Sequence, residues 1–590
     1  MQQCYSNVET SGLRRALPEV TSTLLVMSQT NDVNSVELTS FFKRPADSFA
    51  EQLRGPTKPE ALPHRWGLML ILVLICLLPR AWMAIRCDAI CADAVTYMKI
   101  ADSVERGNLR VMTRSLGMNT YPAILIALRK TGFEWTTVNE LWSVAMAVLT
   151  VFPLFGWVRR QFDDQVAAFA CVMYAIHPMM SIISSWIIRD PTFWFLFNLS
   201  LYLIWRSIVE IRLPLFIATG LALTLTIHTR SEGWLLIIPL TLWTAWRLRF
   251  VPGSRRRLIV GTVCALLTIP LVVSIIRPFI FEDNQSWQLS YSVPNRPIKA
   301  IKGFVQNFQQ GSFGVEAETA SEHPTVDLNE SRNLPILLRV KKLVNRFIKS
   351  FTYIYVLLVA IGLVVWRRVF FRFDQQVLFL ENIVLFVEVV RRCNAQISGE
   401  HRYFATLVFL CMPYLALGLL KMADWLSSFW QVCFRSRKQP QLAFIVALLV
   451  VVAASGMYRC CNFENLRAKQ VDLGHWILNE IGPGRRICGS IPEMRLVGYY
   501  SKGIPRAHSS QQTYRDQPVL DAIEEFRPHI LLLWNDWKNF GGLETYRKIL
   551  DRQDELGFRQ VDQNLLPESC REILVLLRED EIAKWAKKSR

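Results

Sequence analysis

Apolar residues along this chain fall in long blocks separated by short polar punctuation. Blocks near 66–85, 141–158, 165–185, 186–205, 213–228 and 233–246 are followed by others near 258–276, 351–366, 376–390, 404–420 and 443–457. Each is close to the length of a membrane-crossing helix or somewhat shorter, and together they predict about eleven spans. The two blocks that meet at Trp186 read equally as two spans or as one span and a re-entrant piece.

The flanks have a different pattern. Residues 1–65 are polar and mixed in charge, without the basic start and apolar core of a signal peptide. They read as a disordered cytoplasmic tail, and the first apolar block as an uncleaved anchor. Beyond 457 the chain turns soluble in character. "RRICGS", "HILLLW" and "EILVLL" read as short buried strands, with "IPEMRLVGYYSKG" and "DQPVLDAIEEFRP" as helices between them. Residues 458–590 are therefore expected to form a small extracytoplasmic α/β domain. It carries no phosphate loop and no metal spacing, so a lid or docking role is favoured there over catalysis.

Composition fits a polytopic membrane protein, with 51% hydrophobic residues, 19 Trp and 34 Phe. The formal charge of +18 raises nucleic-acid binding as a possibility, but the placement of the arginines argues against it. "VRRQF", "WRSIVEIR", "WRLRFVPGSRRR", "WRRVFFRF" and "FRSRKQP" follow every second apolar block. The positive-inside rule then puts the N-terminus in the cytoplasm. Loops 86–120 and 279–349 and everything after 457 lie outside. "VVRRCNAQISGEHR" is basic yet falls on the outer side, where an anionic ligand would give it a reason.

Candidate chemistry concentrates in those outer segments. "RCDAICADAVTYMKIADSVERGN" leaves the first block and at once presents Asp88 and Asp93. Asp93 and Tyr97 are spaced i, i+4 on one helical face. Asp93 reads either as the N-cap of a helix starting near Ala94 or as a general base at the membrane surface, and the two roles are compatible. Asp190, in "IIRDPTF", reads as a functional acid, a salt-bridge partner, or the start of a helix with Pro191 in its first turn. Glu381 and Glu388, two turns apart on one face of a predicted span, read either as partners of arginines inside the bundle or as a sign that the segment does not cross as drawn; neither reads as catalytic. The 13 cysteines show no repeated zinc spacing.

The opening motif resembles the first extracytoplasmic loop of the GT-C membrane glycosyltransferases, in particular the bacterial protein mannosyltransferase and lipid A aminoarabinose transferase group. Asp93, Tyr97, Ala101 and Gly107 carry that likeness. "NTYPAILIALRKTGFEW" is similar to the family's Tyr-Pro-Pro segment, with Ala123 in place of the second proline. "LTIHTRSEGWLLIIPL" is similar to its Thr-Arg-x-Glu-Gly turn, and "GEHRYFATLVFLCMPYLALGL" to its Arg-Tyr segment. The resemblance runs from about 86 to 420 and implies a GT-C-like domain over 66–457. It implies an inverting hexosyl or pentosyl transfer from a polyprenyl-phosphate-linked sugar, at the extracytoplasmic face of the cell membrane, to a lipid, glycan or protein acceptor. Asp93 would be the base, Asp88 its competitor and Asp190 a second acid. Arg402, with His401 and Arg230, would meet the leaving phosphate, and Tyr97, Tyr121 and Tyr403 would contact substrate. Arg230 also reads as an interfacial anchor, and Tyr403 as a belt tyrosine. No cofactor is implied; a divalent metal would need a third oxygen ligand beside Asp88 and Asp93. The competing classes are a multi-span transporter and an enzyme of the O-antigen ligase or polymerase type.

Overall fold

The computed structural model describes residues 65–86, 90–108, 120–280, 345, 347–348, 351–367, 373–395, 404–434, 440–461, 468–489, 494–507, 523, 526–534 and 549–588. The expected N-terminal tail, most of loop 279–349, and Asp88, His401, Arg402 and Tyr403 lie outside the described residues.

Every apolar block in the sequence becomes helix. α1 spans Arg65–Arg86, and α2 (Ala92–Glu105) and α3 (Thr120–Arg129) follow it. α4 (Trp135–Leu149) runs on into α5 (Val151–Gln161). Next come α6 (Asp164–Ala175), α7 (Pro178–Ser184), α8 (Asp190–Glu210) and α9 (Leu213–Thr229). A 3₁₀ turn at Ser231–Leu236 leads into α10 (Ile237–Arg247) and α11 (Arg255–Ile280). The bundle is completed by α12 (Tyr353–Trp366), α13 (Phe373–Ala395), α14 (Ala405–Phe434) and α15 (Gln441–Cys461).

Among the described residues, six helical stretches are long and apolar enough to cross a membrane: Trp66–Arg86, Trp135–Gln161, Asp190–Glu210, Pro252–Ile275, Ala405–Phe434 and Gln441–Cys461. The pair α6 and α7, bent by 60°, makes a seventh if it counts as one span. Among the described residues the other apolar helices are shorter: Thr120–Arg129, Leu213–Thr229, Tyr353–Trp366 and Gln375–Val387.

The bend between α6 and α7 has a local cause and a local remedy. Pro178 cannot supply an amide to the preceding turn, so the helix breaks at His177. The break leaves the last carbonyls of α6 without helical donors. Arg80, fully buried on α1, donates from Nη1 to the Ala175 carbonyl at 3.0 Å and from Nη2 to that of Tyr174 at 3.3 Å. Its guanidinium also lies 4.4 Å from the centre of the Tyr174 ring. A cation at a helix C-terminus is where the helix dipole favours one.

α12 and α14 approach closely through two glycines. A Cβ on Gly362 would run into the Tyr414 carbonyl, and one on Gly418 into the Leu358 carbonyl. Small residues at a crossing let helix backbones meet where no hydrophobic difference separates protein from lipid.

The C-terminal segment folds on a five-stranded sheet in the order β2-β1-β3-β5-β4. The strands are β1 (Arg486–Gly489), β2 (Ile504–Ala507), β3 (Ile530–Trp534), β4 (Phe558–Gln560) and β5 (Ile573–Arg578). β1 runs parallel to both β2 and β3, while β5 is antiparallel to β3 and β4. Ile530, Leu532, Val575 and Leu577 enter one apolar cluster, and Leu531, Leu533, Leu574 and Leu576 another. Both faces of the central strands are covered, which is why they read as continuous apolar runs rather than alternating ones. Helices α16 (Ala468–Trp476), α17 (Met494–Tyr500) and α18 (Glu579–Lys588) accompany the sheet.

Candidate active site

Three segments that are far apart in sequence meet at one end of the bundle. They are the first loop with α2, the start of α3, and the turn that links α9 to the 3₁₀ segment.

α2 starts two residues earlier than its pattern suggested, and this corrects one expectation. The N-cap is Cys91, whose Sγ accepts a hydrogen bond from the Ala94 amide; Asp93 sits inside the first turn. There its carboxylate favours the helix through the dipole instead of capping it. The Cys91 thiol also donates to the Ile187 carbonyl at 3.6 Å, which docks the start of α2 on the turn before Asp190. The helix stops at Gly107, whose φ of +90° suits a residue without a side chain.

Tyr97, one turn after Asp93, is buried against Tyr121 from α3, with ring centroids 5.1 Å apart and nearly perpendicular planes. Edge-to-face packing of this kind adds to the burial of both rings. Thr120, beside Tyr121, shares a 3.0 Å hydrogen bond with Thr229 Oγ1 at the end of α9. Trp142 of α4 donates to Thr192 Oγ1 at 3.0 Å, tying α4 to the first turn of α8. These bonds lock four helices around the same end of the bundle.

At its centre is a buried charge triad. Arg230 Nη1 is ion-paired with Asp190 Oδ1. Its Nη2 lies 2.7 Å and its Nε 3.1 Å from Glu232 Oε1. Asp190, Arg230 and Glu232 are respectively 2%, 4% and 5% exposed. Phe193, one turn on from Asp190, supports the guanidinium at 5.5 Å. Among these three described residues nominal charges of −1, +1 and −1 sum to −1, a buried group with a net acidic balance. The backbone at Arg230 is extended, which ends α9 and turns the chain through Gly233. A Cβ on Gly233 would collide with the Thr226–Ile227 backbone, so the glycine of this motif is needed for closeness.

Of the nine residues singled out from sequence, Asp93, Tyr97, Tyr121, Asp190 and Arg230 fall in this one region. Asp88, His401, Arg402 and Tyr403 are outside the described residues. Among the described residues no three His, Cys, Asp or Glu side chains converge as a metal site would require. Sequence reasoning missed Glu232 as part of the triad, although it stands two residues from Arg230 in the same motif. It also missed Cys91 as the cap. Glu381 is buried on α13 away from any hydrogen-bond partner among the described residues, so the expected pairing with an arginine does not appear there.

No protein-family model matches the chain, and no curated protein matches it. Among solved structures the chain is similar to the oligosaccharyltransferase of Archaeoglobus fulgidus, determined with Zn and sulfate. Identity is 12% over 80% of this chain and 68% of that one, with a TM-score of 0.49. It is also similar to ArnT from Cupriavidus metallidurans in the apo state, at 14% identity over 88% of this chain and 99% of that one, with a TM-score of 0.48. The same protein bound to undecaprenyl phosphate gives 14%, 87%, 98% and 0.46. At these identities and TM-scores the functional reading rests on this chain's own residues.

Proposed function

We propose that the chain is an integral-membrane glycosyltransferase that moves a sugar from a polyprenyl-phosphate donor to an acceptor at the extracytoplasmic face. The observation that carries the reading is the convergence of three GT-C-like segments at one end of the bundle. Asp93 and Tyr97 come from the first, Tyr121 from the second, and Arg230 with Glu232 from the third. A transporter needs its charges near the bilayer centre, in reach of both sides; here the triad and the acidic helix gather at one end.

In this reading Asp93, half-buried in the first turn of α2, takes the proton from an acceptor hydroxyl or amine. The freed oxygen or nitrogen attacks the anomeric carbon from the face opposite the phosphate. The bond from C1 to the phosphate oxygen breaks, and the electron pair leaves with polyprenyl phosphate. Arg402 and His401 are assigned to that leaving phosphate, because an arginine fork suits phosphate. Arg230 is engaged by two carboxylates, so its assigned work is to hold Asp190 in place beside the acceptor. Tyr97 and Tyr121, buried and packed edge to face, back the site from within, and the sugar contact is assigned to Tyr403.

The test is transfer of labelled sugar from polyprenyl-phosphate donors in proteoliposomes, with protein level matched. Asp93→Asn should insert and accumulate normally, since Cys91 is the cap. It should lose transfer by about 10²–10⁴-fold, the usual worth of a positioned general base. Wild-type turnover by Asp93→Asn would remove Asp93 from the chemistry. Solute movement across the liposome without transfer would favour the transporter.

A further inference from the structure

α17 of the C-terminal segment grips α2 at two points. Arg495 Nη1 donates to Thr96 Oγ1 at 2.9 Å, and the Ile90 amide donates to Tyr500 Oη at 3.3 Å. These contacts bracket Asp93 by three residues on either side. Thr96 and Asp93 are spaced i, i+3, so they are neighbours on one helical face, with Cβ atoms about 5–6 Å apart. The Arg495 guanidinium therefore ends one turn from the proposed base.

α17 is suited to transmit position because both of its sides are fixed. Met494 and Val497 belong to the core of the sheet, whereas Leu496 belongs to the core of the membrane bundle. Gly498 lies against the Pro505 ring of β2, where a Cβ would collide, and Tyr500 packs on His475 with centroids 5.1 Å apart. Partial burial, together with the Arg495 charge, holds Lys99 below its ordinary value.

We propose that α17 is the positioning element of the site, with Arg495 and Tyr500 as positioning residues that hold the first turn of α2 so that Asp93 meets the acceptor. The inference rests on the transferase reading and assigns the C-terminal segment a part in it. Bonds to Ile90 and Thr96 fix both ends of the turn carrying the carboxylate. A misplacement of about 1 Å at a reacting group can cost 10²-fold in rate. Donor affinity is set elsewhere, so the loss belongs to turnover.

The experiment uses the full chain in detergent, comparing wild type with Arg495→Met, Arg495→Lys and Tyr500→Phe. Two readouts are taken: amide exchange of residues 90–97, and steady-state transfer from a polyprenyl-phosphate sugar. Arg495→Met and Tyr500→Phe should each raise exchange at 94–97 several-fold. Each should lower kcat by about 10–100-fold with the donor KM unchanged. Arg495→Lys, which keeps a donor to Thr96, should recover part of both. Unchanged exchange in both variants overturns the clamp. Raised exchange with wild-type kcat overturns the positioning role. A higher donor KM with unchanged kcat would make Arg495 a donor ligand and also overturn it. A wild type that transfers no sugar, while the exchange response is as described, would support the clamp and overturn the transferase reading, so the two failures are separable.

Discussion

At the residue scale, the triad makes an asymmetric prediction. Among the described residues Arg230 bridges Asp190 and Glu232, and all three are buried. Arg230→Ala would take the cation from the buried Asp190 carboxylate, and removing one partner of a buried pair costs about 3–5 kcal/mol. Asp190→Asn instead leaves Arg230 paired with the Glu232 carboxylate. Arg230→Ala should therefore fail to accumulate or melt far below wild type, while Asp190→Asn should be close to wild type in melting temperature. Equal melting of Arg230→Ala and wild type would mean the triad is hydrated. A second residue-scale prediction concerns His529 in the sheet. Its Nδ1 accepts the Arg486 amide at 2.9 Å, which requires the neutral ring. Partial burial, opposed by Glu581 and aided by Arg486, holds its pKa below the ordinary 6.5. A depressed histidine pKa means the unfolded chain takes up the proton first as pH falls. The contribution is thus fully present above pH 6.5 and fades below it. Thermal melts of the sheet should weaken as pH falls from 7 to 5 (an ordinary working range for His titration). His529→Asn, which keeps an acceptor that does not titrate, should flatten that dependence; an unchanged slope would assign it to other groups.

At the element scale, what the sequence revealed depended on whether the deciding contact was local. β3 and β5 were legible because strands covered on both faces are near-continuous apolar runs, and β1 through its buried Ile487 and Cys488. β2, "IPRA", and β4, "FRQ", were not, since short edge strands with polar residues look like loop. The α2 cap was misjudged because Asp is the usual cap and a thiol a weak acceptor; what favours Cys91 is its second contact, to Ile187, which no local pattern encodes. The pairing of Asp190 with Arg230 spans forty residues and was invisible for the same reason, though both residues were singled out one at a time. Arg495 sits in an ordinary amphipathic helix, and its meaning comes from what that helix touches. The close crossing of α12 and α14 is another long-range fact, and it can be tested. Gly362→Ala would press on the Tyr414 carbonyl, and Gly418→Ala on that of Leu358. Backbone is a poor yielder, so each should destabilise by about 1–3 kcal/mol, as overpacking usually does. The double variant should cost less than the sum, because one separation of the helices relieves both clashes. Strict additivity would mean that each glycine yields independently.

At the scale of the whole molecule, the fold class was legible from block lengths alone, while the number of full crossings was not. Two independent constraints make sidedness testable. The bonds from α17 to Ile90 and Thr96 require the C-terminal segment and the first loop to lie on one side of the membrane, whichever side that is. The arginine clusters choose the side. Arg159 and Arg160 end α5, and Arg255, Arg256 and Arg257 open α11. Basic residues concentrate in cytoplasmic loops. A reporter active only outside the cytoplasm should therefore give the same result when fused after Asn108 as after Arg590, and both should be active. The same reporter after Arg257 should be silent. Different results at Asn108 and Arg590 would be incompatible with α17 resting on α2, and would remove the positioning role with it. Matching but silent reporters, with activity after Arg257, would keep that contact and invert the protein in the membrane. The acceptor would then have to be met on the cytoplasmic side, where the transfer reaction has not been placed.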